Sequence, residues 1–192
     1  GLVTHCVIRD NVVDKKSTQG GETPGAMVAG GSLENSLVTG NTRGNEAEGV
    51  CRAVSVSGSG RVVNCDILRN ALGCTVEGGA RAVEVGNGAT LQNCVVFDNR
   101  AKDGEIMGIV AADGAIVTAS LSEADGLGTA AFKKYEQGDY TPKSGGALTD
   151  KGVTPEGWKG ITDLAGKPRV IGKAVDIGCY EGNSAGFILN IK

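Results

Sequence analysis

Apolar residues in this chain come in short alternating runs bounded by glycine. In "VSVSG" (54–58) and "VEVG" (83–86) apolar and polar residues take turns, the two-residue period of a strand with one buried face. No segment carries an apolar stripe over three helical turns. The pattern predicts many short strands, and their sequences recur. "VTHCVIRDN" (3–11), "LENSLVTGN" (33–41), "VVNCDILRN" (62–70) and "LQNCVVFDN" (91–99) share one grammar: apolar residues around a Cys or Ser, then a closing Asn. Aligned on Cys6, Ser36, Cys65 and Cys94, the intervals are 30, 29 and 29, and Asn11, Asn41, Asn70 and Asn99 repeat with them. A degenerate fifth copy, "IVTASL" (116–121), places Ala119 at the Cys position. A second, glycine-bounded phrase stands before copies two to five, at 25–31, 52–60, 81–88 and 108–114.

A fixed period of this length marks a solenoid, and strand-type phrases make it a β-solenoid. The expectation is an all-β fold: a right-handed parallel β-helix of about five coils over residues 1–121, with an irregular C-terminal capping segment over 122–192. Stacking sets equivalent residues about 4.8 Å apart. Val54 and Val83, Val56 and Val85, and Ile67 and Val96 then form apolar ladders inside. The closing asparagines are expected to form a structural ladder too, each at a left-handed bend and bonded along the stack. Cys6, Ser36, Cys65 and Cys94 read as a buried thiol row filling the core. Cys51 and Cys74 lie outside it and are candidates for a disulfide between neighbouring coils.

Composition narrows the function. Glycine is abundant at 32 residues, proline scarce at 4 and aromatics only 4 %. Net charge is −3 and no basic patch is interleaved with aromatics, so no nucleic-acid partner is expected. No apolar run approaches the roughly 20 residues of a membrane span. The polar segments 12–24, 42–51, 71–80 and 100–107 leave the coil at one corner, where solenoids usually carry their binding surfaces.

After residue 121 the repeat stops. The three tyrosines and Trp158 all lie beyond it. Aromatics placed there suit the covering of an open coil end. They also suit a return along the outside of the stack. The row after the cysteines (Val7, Leu37, Asp66, Val95) points outward and is apolar at three of four positions, and such a stripe is usually covered.

Gly138, Asp139, Tyr140, Asp150 and Gly152 form one phrase of this segment; Asp163, Gly166, Pro168, Arg169, Gly172, Asp176, Ile177, Gly178, Tyr180 and Glu181 form a second. Together they resemble the ending of bacterial right-handed β-helix proteins of the choice-of-anchor Q type, with Gly145–Thr149 and Cys179 as departures. The resemblance covers about 45 residues of the chain. It implies a pectate-lyase-like superfold and an extracellular or cell-surface location on a bacterium. It implies no single activity, since that superfold hosts lyases, hydrolases, adhesins and stalks.

Candidate chemistry is sparse. Arg169 is expected to pair with Asp163 or Asp176 and to satisfy turn amides. The alternative for Asp150, Asp163 and Asp176 is a calcium site; no other cofactor is expected. Arg52 and Arg81 share a register on neighbouring coils with Glu84 just beyond, a set able to clasp an anionic sugar or the carboxylate of Glu77. Asp10 and Asp98 share a register three coils apart, about 14 Å, too far for paired carboxylates. His5 aligns with Asn35, Asn64 and Asn93 and reads as a turn residue. The leading expectation is a non-catalytic module of a longer chain, structural, adhesive or filament-forming. The chain enters partway through a coil, so either it is the C-terminal piece of a longer protein, the favoured expectation, or another copy completes the open edge and head-to-tail stacking makes a fibre. The rival is a protein that binds or degrades polysaccharide.

Overall fold

The computed structural model describes residues 1–13, 23–44, 49–74, 78–101, 103–158 and 160–183. The strands assemble coil by coil. The first coil holds β1 (Leu2–Thr4), β2 (Val7–Arg9) and β3 (Val12–Val13), and the second holds β4 (Ala26–Val28), β5 (Ser32–Glu34), β6 (Leu37–Thr39) and β7 (Thr42–Arg43). The third holds β8 (Cys51–Val56), β9 (Arg61–Val63), β10 (Asp66–Leu68) and β11 (Ala71–Leu72), and the fourth β12 (Ala80–Val85), β13 (Thr90–Gln92), β14 (Val95–Phe97) and β15 (Arg100–Ala101). The fifth holds β16 (Ile109–Ala111), β17 (Ile116–Thr118) and β18 (Leu121–Ser122). Equivalent strands stack in parallel into four sheets: β1-β5-β9-β13-β17, β2-β6-β10-β14-β18, β3-β7-β11-β15 and β4-β8-β12-β16. This is the right-handed parallel β-helix that the period predicts.

Sequence spacing sets the register. Val54 faces Val83, Val56 faces Val85, and Ile67 faces Val96. All six are fully or almost fully buried, in one core with Val62, Leu91, Leu72, Cys65 and Cys94. Two corners of each coil turn through left-handed backbone. One is occupied by His5, Asn35, Asn64, Asn93 and Ala119, the other by Asp10, Gly40, Arg69 and Asp98. The ladder asparagines themselves are not left-handed; the bend is one residue earlier. Asparagine serves the ladder through its carboxamide instead. Asn41, Asn70 and Asn99 each accept, on Oδ1, both the backbone N–H and the Nδ2 of the asparagine one coil before. Each also donates Nδ2 to a strand carbonyl of the previous coil: Ile8, Val38 and Ile67.

The fifth coil differs from its sequence reading. Leu91 pairs with Val117 and Gln92 with Thr118, so Ala119 stands over Asn93 and Ser120 over Cys94. Ser120 Oγ accepts the Cys94 N–H at 3.1 Å, as Ser36 Oγ accepts that of Cys6 at 3.1 Å. The Cys position is thus Ser120, one residue later than the sequence alignment puts it.

Of the two tasks expected of the C-terminal part, the return along the outside of the stack is the one this cluster performs. Phe132, Tyr135 and Tyr140 lie along the outer face of the β2-β6-β10-β14-β18 sheet, over the row that holds Leu37 and Val95. Phe97 and Leu68 meet Phe132, Tyr135 and Tyr140 there, and Leu37 and Val95 are buried in the same cluster with Leu148, Ile177 and Cys179. Phe132 and Tyr135 sit 5.1 Å apart by ring centroid, each within 6 Å of Phe97. A short antiparallel pair, β19 (Phe132–Lys134) and β20 (Asp139–Pro142), shapes this segment. The segment reaches back as far as the first coil, where the Thr162 carbonyl lies 2.9 Å from His5 Nε2. The last coil keeps Val110, Ile116 and Val117 exposed.

Candidate functional site

The polar side chains gather in three clusters, of which the first and the third hold sequence-predicted site residues. The first lies on the outer face of the β4-β8-β12-β16 sheet. Position two of β8 and of β12 places Arg52 beside Arg81. Glu84 projects from the same face three residues after Arg81 and receives both guanidiniums, Arg52 Nε on Oε2 and Arg81 Nη1 on Oε1. Burial and the neighbouring Arg81 charge hold the Arg52 guanidinium below its ordinary pKa. The structure thus brings Arg52, Arg81 and Glu84 together as one closed unit with one positive charge in excess. Glu77 lies outside the described residues.

The second cluster joins two coils to the return segment. Arg100 binds Glu123 through both terminal nitrogens, at 2.9 and 3.2 Å, and reaches Asp98 at 3.0 Å. Arg69 meets Glu136 at 3.1 Å and lies over the Tyr135 ring, 4.3 Å from its centroid. The Tyr135 hydroxyl donates to Asp98 at 3.0 Å. Glu123 has a backbone task as well. Its Oε2 accepts the Asp98 N–H, where the equivalent Arg69 N–H finds the Phe97 carbonyl of the next coil. A carboxylate thereby replaces a missing strand.

The third cluster contains Asp150, Asp163 and Asp176, the residues of the calcium alternative. Among the described residues no group of three or more His, Cys, Asp or Glu is placed to hold a metal ion. Each aspartate instead turns its oxygens to backbone amides. Asp163 accepts from Ala165, Lys167 and Glu181; Asp176 accepts from Asp150 and Gly182; Asp150 accepts from Lys173 and Ala174. These are loop braces. Arg169 also differs from expectation: its partners are the Asp176 and Gly178 carbonyls, with Glu181 Oε1 at 3.5 Å, and not the side chains of Asp163 or Asp176. Arg169, Glu181, Asp163, Asp176 and Asp66 are all buried. Desolvation raises the Asp176 carboxyl and pushes Glu181 to about 8 and Asp66 to about 7.

Asp66 is the residue by which coil and return segment lock. It is the one polar member of the outward row, and its Oδ1 accepts the Cys179 N–H at 3.0 Å. Gly178 makes the approach feasible: its φ is +106°, and a Cβ there would collide with Asp66 Oδ1. In the sequence Asp66 is the polar exception in an otherwise apolar row, and that exception is its signal. Glu123, Tyr135 and Glu181 carried no periodic signal, because they lie outside the repeat.

Among the cysteines, Cys65 and Cys94 are buried in their row and donate to strand carbonyls. Cys51 and Cys74 are free thiols that both reach the Gly49 carbonyl, without a disulfide between them. Among the described residues no helix is long and apolar enough to cross a membrane. No family model, curated protein or solved structure matches this chain.

Proposed function

We propose that this chain is a non-catalytic β-solenoid module that acts structurally at a bacterial cell surface or outside the cell. The observation that carries the reading is how the charged side chains of the stack are engaged. Glu84 is held by two arginines, Asp98 and Glu123 by Arg69, Arg100 and Tyr135, and the three aspartates of the return segment by backbone amides. A lyase or hydrolase needs carboxylates open to substrate and a group free to move a proton. Here these groups join coil to coil. The exposed apolar edge of the last coil (Val110, Ile116, Val117) favours adhesion or stacking over solitary existence. The surface location rests on the resemblance of the closing phrase around Arg169 and Asp176 to surface β-helix proteins.

A second reading has one observation behind it. The Arg52–Arg81–Glu84 unit retains a net positive charge on an outer sheet face, and a uronate-containing polysaccharide is the matching ligand class. One screen separates the two. The protein is incubated with uronate-containing and neutral polysaccharides, with and without calcium, and both retention and new reducing or unsaturated ends are measured. The structural reading expects no product with any glycan. Product formation abolished by Arg81→Ala overturns it, and retention of uronate polymer without product, lost in Arg81→Ala, establishes the binding reading.

A further inference from the structure

The third coil begins at Cys51, the first residue of β8, and ends just before Cys74, two residues past β11. Rung bonds hold these two ends in place. The Cys51 N–H donates to the Gly79 carbonyl and the Gly73 N–H to the Arg43 carbonyl, at 2.9 Å each. The Cys51 thiol donates to the Gly73 carbonyl and the Cys74 thiol to the Gly49 carbonyl, so each sulfur leans toward the chain segment of the other. Both thiols converge on one oxygen, the Gly49 carbonyl, Cys51 Sγ at 3.8 Å and Cys74 Sγ at 2.6 Å. Arg43 Nη1 lies 3.3 Å from Cys51 Sγ. Cys51 is fully buried and Cys74 half-buried.

We infer that Cys51 and Cys74 are a redox-active pair that closes into a disulfide, tying the four strands of the third coil, residues 51–74, into a covalent ring. The oxidant is an external low-molecular-weight disulfide. Cys74, the sulfur nearer solvent, attacks as thiolate; the external S–S bond breaks and one thiolate departs. Cys51 then attacks Cys74 Sγ in the mixed disulfide. The Cys51 proton passes to the second departing thiolate, and Arg43 steadies the negative charge on Cys51 as it forms. Two protein thiols are oxidised and one external disulfide is reduced to two thiols. Burial pushes the Cys51 thiol up to about 12, which assigns the first attack to Cys74. The other buried cysteines have no such exit: Cys65 and Cys94 lie inside the row, and Cys179 is buried where the return segment meets the stack, its N–H on Asp66.

The test uses oxidised glutathione as the probe. The reduced chain is incubated with it, alkylated under denaturing conditions and digested with trypsin, which places Cys51 in peptide 44–52 and Cys74 in peptide 70–81. The expected product is those two peptides joined, two hydrogens lighter than their sum, with Cys65 and Cys94 alkylated. Ring closure also raises the thermal midpoint by roughly 5–10 °C, reversibly on reduction. Cys51→Ser is expected to retain glutathione on Cys74 as a stable adduct. Alkylation of both cysteines after exposure, a persistent glutathione adduct in the unmutated chain, or a cross-link from Cys74 to any other cysteine overturns the inference. The peptide map of the unmutated chain decides the matter even if the variant does not fold.

Discussion

Left-handed backbone is costly for any residue with a Cβ, and least so for glycine and asparagine. The corner row His5, Asn35, Asn64, Asn93 follows that preference, and Ala119 breaks it at φ +46°. Alanine brings no side-chain bond to offset the strain. Ala119→Asn is therefore expected to stabilise the chain by about 1 kcal/mol, read as a shift of the urea midpoint at unchanged slope. The same substitution at Ser120, which accepts the Cys94 N–H, is expected to destabilise by about 1 kcal/mol. The pair of outcomes also checks the one-residue correction of the fifth coil, since an Ala119 in the Cys position would give the opposite order.

Across a strand row the same side chain acts repeatedly, and its worth depends on its depth in the stack. Asn70 accepts two bonds from Asn41 and donates to Val38 and Asn99, all in buried surroundings. Asn70→Ala leaves those partners without water and is expected to cost about 3 kcal/mol in urea unfolding. Asn11, exposed on the first of the described coils, donates to Asn41. Asn11→Ala is expected to cost under about 1 kcal/mol. Equal losses at both positions would mean that the ladder does not act through burial. This element was legible in the sequence because a stack writes each contact once per coil: Val54 and Val83, Cys65 and Cys94, Asn70 and Asn99 announce their neighbours by spacing alone. The path of the return segment over the apolar row was legible too, but its individual contacts were not, for the opposite physical reason. Phe132, Tyr135 and Glu123 meet Phe97, Arg69 and Asp98 once each, across long separations, and a contact made once leaves no period. Arg169 shows the limit within a recognisable phrase: its motif was visible, but its partners are carbonyls, which every residue has.

For the whole molecule the decisive joint is that between stack and return segment, and it is built from carboxyls buried with too few cations. Arg169 faces Glu181, Asp176 and Asp66, with Asp163 close to Glu181; the Cys179 N–H and the Gly182 N–H complete the surroundings. Desolvation dominates over these favourable contacts for Asp66 and Glu181 and lifts their carboxyls to about 7 and about 8. In the unfolded chain such groups titrate near about 4. The folded state therefore binds more protons than the unfolded state between those limits, and stability must fall as pH rises through them. The contribution is complete near pH 4 and is lost as pH passes about 7 for Asp66 and about 8 for Glu181. Asp139, whose carboxyl is held low by Thr141, acts in the reverse sense, and only at the acid end. Unfolding midpoints measured from pH 4 to 9 are thus expected to decline across neutral pH, where most proteins are at or near their best. Asp66→Asn keeps an oxygen to accept the Cys179 N–H and has no proton to lose. It is expected to flatten the slope between pH 5 and 8 and to raise the midpoint at pH 8. A variant that is weaker at every pH with the slope intact would show that Asp66 braces the joint without governing its pH response. The fluorescence of Trp158, on the return segment and half-buried, reports which part lets go first: its change is expected to precede the loss of β-structure at pH 8 and to coincide with it at pH 5.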